Sequence, residues 1–477
     1  MERLNPNGPD QRPRVGLILL RAEWFDSVVA LPQLVEGVKE DSAALVGAFP
    51  AELELAQLWV VNSSASLASC AGELGGLKLD LVLLTFQVWA EDFYLQPLVE
   101  ALHGQPLAVW CYQPGANPPH PASFLDVLRY SGPVGTLEGL GTLRNLGADF
   151  AFLAGTPGSA AFNAALVAEA RAGKACQALR RARIGLLPAR NEQMQSTYVD
   201  EFRLRADLGP LVEYLSVGQL EEAARAVPQA GLDAYLAALR RDFPVRGVSA
   251  PTLERAARAC LGLARLGAEH NLDLLSLNDI SFELHTVMGL RPCFVPPPAV
   301  GEQGLLFGLE GDLGAAAAML TLKHLSGLPL FFVEFWFWDE AQNLLVGGHA
   351  GLQDAQNARP GEAYISQDYE YSQTDATGGA HFQFACRPGR VSLMQLRWTA
   401  QGCWQALACT GEVVDQPAWI EGYPHAVVRP DVNVLDFFRQ AAEVGTTQHW
   451  IMAYGDVLAE IRAWCRLERV ALKVIAG

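Results

Sequence analysis

Residues 307–350 read FGLEGDLGAAAAMLTLKHLSGLPLFFVEFWFWDEAQNLLVGGHA. Glu310 ends the short apolar run FGL just before a glycine, and Glu334 lies inside LPLFFVEFWFW, which reads as a strand buried on both faces. An unpaired charge in either place costs several kcal/mol, so each carboxylate has to be neutral, paired or bound to a metal. His349 follows 15 residues after Glu334. If Asp339 faces Leu344 across the loop 340–343, Glu334 stands directly opposite His349, with Cβ atoms about 5 Å apart. That spacing suits two ligands of one cation, and a one-residue slip puts the pair on opposite faces. Two carboxylates and an imidazole without a thiolate suit Mn²⁺, Mg²⁺ or Co²⁺. Each residue also has an ordinary reading: a glutamate satisfied by an arginine, a turn with Asp312 as a helix cap, a structural histidine.

Working outward, the Ala-rich run after Asp312 reads as a helix packed closely on a sheet. Upstream, 15–20, 56–61, 80–86, 107–111 and 149–153 are short apolar runs separated by helical patterns such as 90–102 and 160–180. This alternation predicts a doubly wound parallel α/β domain over 15–180, behind a flexible tail at 1–14. A second doubly wound α/β domain is expected over 181–326. Its strands are 183–188 and 272–277, and its helices lie near 209–215, 218–226, 231–242 and 279–287, with a long one opened by Ser249. From 327 to 477 the alternating runs 381–386, 391–398 and 403–409 predict an antiparallel sheet or barrel, and 351–380 reads as a long polar loop. In parallel sheets ligands gather at strand C-termini. That position nominates Arg190, Asn191 and Glu192 after one strand, and Asn278 and Asp279 after another. Trp336 and Trp338 share the Glu334 face of a regular strand, and aromatic walls suit the C–H face of a sugar. No G-x-G-x-x-G dinucleotide pattern follows any of the strands.

The 477 residues are half apolar with a net charge of −17. That balance describes a well-cored globular protein and argues against a nucleic-acid partner, which wants a basic face. Nine cysteines are scattered without a C-x-x-C pair, as in reduced cytoplasmic proteins. The polar, Pro-rich N-terminus has no secretory h-region, and no apolar run is long enough to cross a membrane.

LEGDLGAAAAML, FFVEFWFWDEAQNLLVGGHAG and VGTTQHW together resemble the C-terminal half of the L-arabinose isomerase and L-fucose isomerase superfamily. Glu310, Glu334, His349 and His449 stand in the family's order, with gaps of 24, 15 and 100 residues. The resemblance implies aldose–ketose isomerisation through a cis-enediol. It makes Glu310 and Glu334 both metal ligands and the acid/base pair, and His349 and His449 the remaining ligands of Mn²⁺ or a similar ion. It also implies a small-molecule sugar substrate and a homo-oligomer, a trimer or hexamer, and it places Gln448 beside the substrate. The family's histidine before a Gly-Gly pair has no counterpart in RYSGPVGTLEGLG, so the metal residues are retained better than the sugar-reading ones. A non-catalytic sugar- or metal-binding relative, or a metal-assisted lyase, epimerase or hydrolase, are the other readings.

Overall fold

The computed structural model describes residues 12–27, 32–294, 304–370 and 378–477. Parts of two sequence readings, the tail at 1–14 and the polar stretch 351–380, lie outside these residues. The chain forms two compact units that divide between Gln177 and Ala178.

The first unit is built on β1 (Arg14–Leu20), β2 (Glu54–Val61), β3 (Leu81–Phe86), β4 (Leu107–Tyr112) and β5 (Ala151–Gly155), all parallel, in the order β2-β1-β3-β4-β5. Its strands are continuously apolar because both faces are covered. Ile18, Leu20, Val82 and Leu84 pack with Leu95, Leu98 and Leu143 on one side. Leu17, Leu19, Leu83 and Trp110 pack with Phe162 and Leu166 on the other.

The second unit carries β6 (Arg183–Leu187), β7 (Leu211–Tyr214), β8 (Val245–Arg246), β9 (Leu274–Leu277), β10 (Leu306–Leu309), β11 (Leu330–Asp339) and β12 (Leu344–Gly348). It continues with β13 (Tyr364–Gln367), β14 (Ala380–Gln383), β15 (Gly389–Trp398), β16 (Trp404–Val413), β17 (His425–Pro430), β18 (Trp450–Tyr454) and β19 (Ala471–Val474). A parallel sheet runs β10-β9-β6-β7. Residues 209–215, expected to be helical, instead supply β7. Gly209 is left-handed at φ 106°, Pro210 follows it, and Leu211–Tyr214 then pairs with Arg183–Leu186. The order β15-β18-β11-β12-β17-β16 closes on itself through the β15–β16 pairing, giving a six-stranded antiparallel barrel. The step from parallel to antiparallel sheet near residue 327 falls inside this second unit. The polar stretch after His349 is not one long loop, since β13 lies within it and pairs with both β14 and β8.

All six barrel strands contribute one face to a single apolar cluster, including Phe331, Val333, Val391, Leu407, Val428 and Met452. The alternate residues of β11, Phe332 and Glu334, face the other way, and on that side the Ala-rich helix Leu313–Ser326 packs with its first turn against β15. A Cβ at Gly314 would come within 2.5 Å of the Leu396 carbonyl oxygen. No described helix is long and apolar enough to cross a membrane.

Candidate metal centre

The centre starts at the C-terminal end of β10. Glu310 and Gly311 both adopt left-handed backbone conformations, with φ of 56° and 65°. For a non-glycine this costs about 1 kcal/mol or more and has to be held by its surroundings. The Glu310 N–H donates to Asp279 Oδ1 at 3.0 Å, and the Gly311 N–H donates to the Leu277 carbonyl. Gly311 cannot be larger, because a Cβ would lie 2.8 Å from the Ala189 carbonyl oxygen. Asp312 then caps the helix Leu313–Ser326, its Oδ1 accepting from the Ala315 N–H at 2.9 Å.

His349 follows β12, which ends in Gly347-Gly348. Both glycines are forced by close neighbours: a Cβ would meet the Glu334 carbonyl oxygen at 2.2 Å or the Pro424 carbonyl oxygen at 2.0 Å. His349 is buried and its Nδ1 lies 2.7 Å from the Ala350 carbonyl. A carbonyl only accepts, so Nδ1 carries a proton. Nε2 has no hydrogen-bond partner and lies 3.6 Å from Glu310 Oε1. His449 enters from the loop before β18. Gln395 clamps that loop, its Nε2 donating to the Thr447 carbonyl at 2.7 Å, to Thr447 Oγ1 at 2.8 Å and to the His449 carbonyl at 3.1 Å. His449 Nε2 lies 2.9 Å from Glu310 Oε2, and its Nδ1 lies 2.9 Å from Asp312 Oδ2. Phe332 lies against both rings, with centroids 5.1 Å from His349 and 4.7 Å from His449.

These contacts set the charges. Burial raises the Glu310 pKa, but the two imidazoles outweigh it and hold the carboxyl well below its usual range. Burial alone would lower the His449 pKa; Asp312 and Glu310 instead lift it to about 9. With a carboxylate on each nitrogen, His449 is an imidazolium when no cation is bound. His349 is likewise raised, as Glu310 offsets its burial.

One ligand atom each from Glu310, His349 and His449 falls within 4.8 Å of the others, the one such metal-ligand group among the described residues. The donor set fits a divalent cation. It offers one ionised carboxylate and two imidazoles, one of them with a buried nitrogen that nothing among the described residues satisfies. The Asp312–His449 pair is the carboxylate–imidazole arrangement that orients metal-bound histidines.

Glu334 does not stand opposite His349. Asp339 does face Leu344 as expected, but an irregularity between Phe335 and Phe337 shifts the register, so Glu334 pairs with Gly348. On its other side β11 pairs with β18 as far as Val333 and Trp450, the residues next to Glu334 and His449 in the chain. Its Oε1 accepts from Trp336 Nε1 at 2.9 Å, and its carboxylate lies outside the three-residue group. The extra residue also separates the two tryptophans. Trp336 stays with Glu334, while Trp338 turns to the side of Phe335, its ring tilted against Phe438 with centroids 5.2 Å apart.

Of the other nominated residues, Asn191 and Asn278 are buried and each has an unpartnered amide atom, Nδ2 and Oδ1 respectively. They follow β6 and β9, neighbouring strands of the parallel sheet. Arg190 is exposed, its guanidinium 4.2 Å over the Tyr198 ring, and Glu192 is exposed beside it. The Arg190 backbone nonetheless abuts Gly311, and Gln448 reaches Met194 of the same loop at 3.1 Å. Sequence reasoning missed three supports. Asp312 appears there only as a cap, although its second oxygen was free for a histidine. Gln395 and the Trp336–Glu334 bond carry no sequence signal.

The fold and site together define a protein with parallel α/β layers and an antiparallel barrel, arranged around a buried carboxylate–imidazole centre suited to a divalent cation. No family model matches the chain. It is similar to sulfoquinovose isomerase of Clostridium sp. (strain MSTE9), 26% identical over 174 residues, which cover 35% of this chain and 36% of the relative. It is also similar to L-arabinose isomerase of Aeromonas hydrophila, 30% identical over 165 residues, covering 31% of this chain and 32% of the relative. The L-arabinose isomerase of Aeromonas salmonicida matches to the same extent. The chain thus spans about a third of the length of the curated relatives it matches. The similarities are to sugar isomerases, at low identity over about a third of the chain.

Proposed function

We propose that this protein is a sugar isomerase that interconverts an aldose and a ketose, with Glu310, His349, His449 and Glu334 holding a divalent cation, Mn²⁺ by preference. The observation that carries the reading is the ionised Glu310 carboxylate held between two buried imidazoles, one of them braced by Asp312. The relatives' names, isomerases of sulfoquinovose and L-arabinose, point to the same reaction class.

Isomerisation moves one proton between C1 and C2 and one between their oxygens, by way of a cis-enediol, and so needs an acid/base group near both carbons. A bound cation would supply Lewis-acid polarisation of the sugar's oxygens. Glu310, held ionised by its two imidazoles, accepts the proton from one carbon. Glu334, half-buried and on the same face as Phe332, returns it at the adjacent carbon. Asn191 Nδ2 and Asn278 Oδ1 offer a donor and an acceptor for sugar hydroxyls, with Arg190, Glu192 and Gln448 around the same loop. Two acids are more than a binding protein needs, which favours turnover over the non-catalytic reading. A cytoplasmic homo-oligomer completes the proposal.

The test is ketose formation from a panel of aldoses, including L-arabinose, L-fucose and sulfoquinovose, with and without added Mn²⁺. Glu310→Gln and Glu334→Gln are expected to abolish turnover. No ketose from any sugar, with no cation retained by the wild type, would sink the reading.

A further inference from the structure

Trp336 has no role in the chemistry so far, yet its indole N–H bonds directly to Glu334, one of the two proposed acid/base groups. It is the extra residue where β11 slips against β12, between Phe335 facing Gly347 and Phe337 facing Val346. The slip is local. Upstream of it β11 stays in register with β18 through Val333 and Trp450, so the residue just before Glu334 is still paired with the residue just after His449. Trp336 is half-buried, with its ring against Tyr423 at a centroid distance of 5.6 Å. Its Nε1 donates to Glu334 Oε1 at 2.9 Å, a charge-assisted bond and the one side-chain hydrogen bond of Glu334 among the described residues. A long, half-exposed glutamate without this bond would spread over several rotamers.

We propose that Trp336 is a positioning residue for Glu334: its indole N–H fixes Oε1 and leaves Oε2 as the oxygen that meets the cation and the sugar. This rests on the isomerase reading above and assigns Trp336 a task other than lining the sugar site. A hydrogen bond of this kind, to a group that binds a cation, changes affinity or activity about 10- to 100-fold when removed.

The experiment measures Mn²⁺ affinity of the purified full chain by calorimetry and electron paramagnetic resonance, alongside sugar kinetics at saturating Mn²⁺. Trp336→Phe keeps a ring against Tyr423 and removes only the N–H. It is expected to weaken Mn²⁺ binding about tenfold or more and to lower kcat with KM for the sugar unchanged. The double variant W336F/E334Q is expected to bind Mn²⁺ no more weakly than E334Q alone, because Trp336 acts only through Glu334. Trp338→Phe, on the opposite face, should match the wild type. Affinity of W336F within twofold of wild type, or losses in the double variant that simply multiply, would overturn the inference and leave the isomerase reading standing. So would a rise in KM alone, which would make Trp336 a wall of the sugar site. If W336F does not fold, Trp336→His, which keeps an N–H donor, takes its place and should retain most of the wild-type affinity; loss as large as in E334Q overturns the inference. A wild type that binds no Mn²⁺ overturns the metal reading and this inference with it.

Discussion

Replacing Asp312 by asparagine separates its two tasks. Oδ1 caps the helix Leu313–Ser326 through the Ala315 N–H, and Oδ2 accepts from His449 Nδ1. Asparagine caps a helix as well as aspartate does, so with its oxygen toward Ala315 the helix loses almost nothing. The amide nitrogen then faces His449 Nδ1, and two donors cannot meet. The ring must carry its proton on Nε2, the nitrogen that faces Glu310, and that nitrogen can no longer bind a cation. The expected loss is 10- to 100-fold in Mn²⁺ affinity, or about 1.4 to 2.7 kcal/mol. If the amide flips instead, His449 keeps its acceptor but the Ala315 N–H meets a donor, and the cap, worth about 1 kcal/mol, is lost from the metal-free protein. Calorimetric Mn²⁺ titration and thermal unfolding of the metal-free protein read the two outcomes separately. A variant with wild-type affinity and wild-type unfolding temperature would refute the double role.

Four further outcomes follow from the same geometry. In the metal-free protein His449 is lifted from 6.5 to about 9, so the stability it contributes is full below about pH 6.5 and is lost as pH rises through 9. A cation must displace that proton, so Mn²⁺ affinity should climb between pH 7 and 9 and level off above, with proton release visible as a buffer-dependent heat of binding. Glu310, depressed below its usual range, adds stability that is full above its ordinary value of 4.5 and is lost progressively as the pH falls from there through its lowered pKa, so acid unfolding of Glu310→Gln should lose that component. Gly347→Ala puts a Cβ 2.2 Å from the Glu334 carbonyl oxygen and should cost several kcal/mol or force β11 and β12 apart; denaturant unfolding together with Mn²⁺ binding measures both. Gln395→Leu unclamps residues 446–449, and at about 1 kcal/mol per lost hydrogen bond should lower the unfolding temperature and weaken Mn²⁺ binding together.

The parallel layers were legible because their strands are short continuous apolar runs, and the barrel because its strands alternate. Residues 209–215 misled because LVEYL has an apolar spacing compatible with either element. What decides is the left-handed Gly209 and the open edge of β6, neither of which is local information. Three of the four nominated ligands meet in space because each sits where a strand ends: Glu310 after β10, His349 after β12, His449 before β18. The position of Glu334 was half legible. The count from Asp339 opposite Leu344 held at the end of the hairpin, but Glu334 met Gly348 and not His349. The slip at Trp336 depends on how tightly Gly347 and Gly348 let β12 approach its neighbours, and hairpin counting cannot see that. Gln395 was invisible for a related reason, being a buried polar residue of an alternating strand whose partners lie 51 to 54 residues away.

The central claim is that one divalent cation sits among Glu310, His349 and His449 and draws in Glu334. Crystals of the full-length protein grown with Mn²⁺, with data collected on both sides of the manganese absorption edge, test it directly. The expected result is a single anomalous peak within bonding distance of one oxygen of Glu310, Nε2 of His349 and Nε2 of His449, with Glu334 Oε2 turned toward it. An anomalous map with no peak among these residues, while His449 keeps both carboxylate partners, would contradict it.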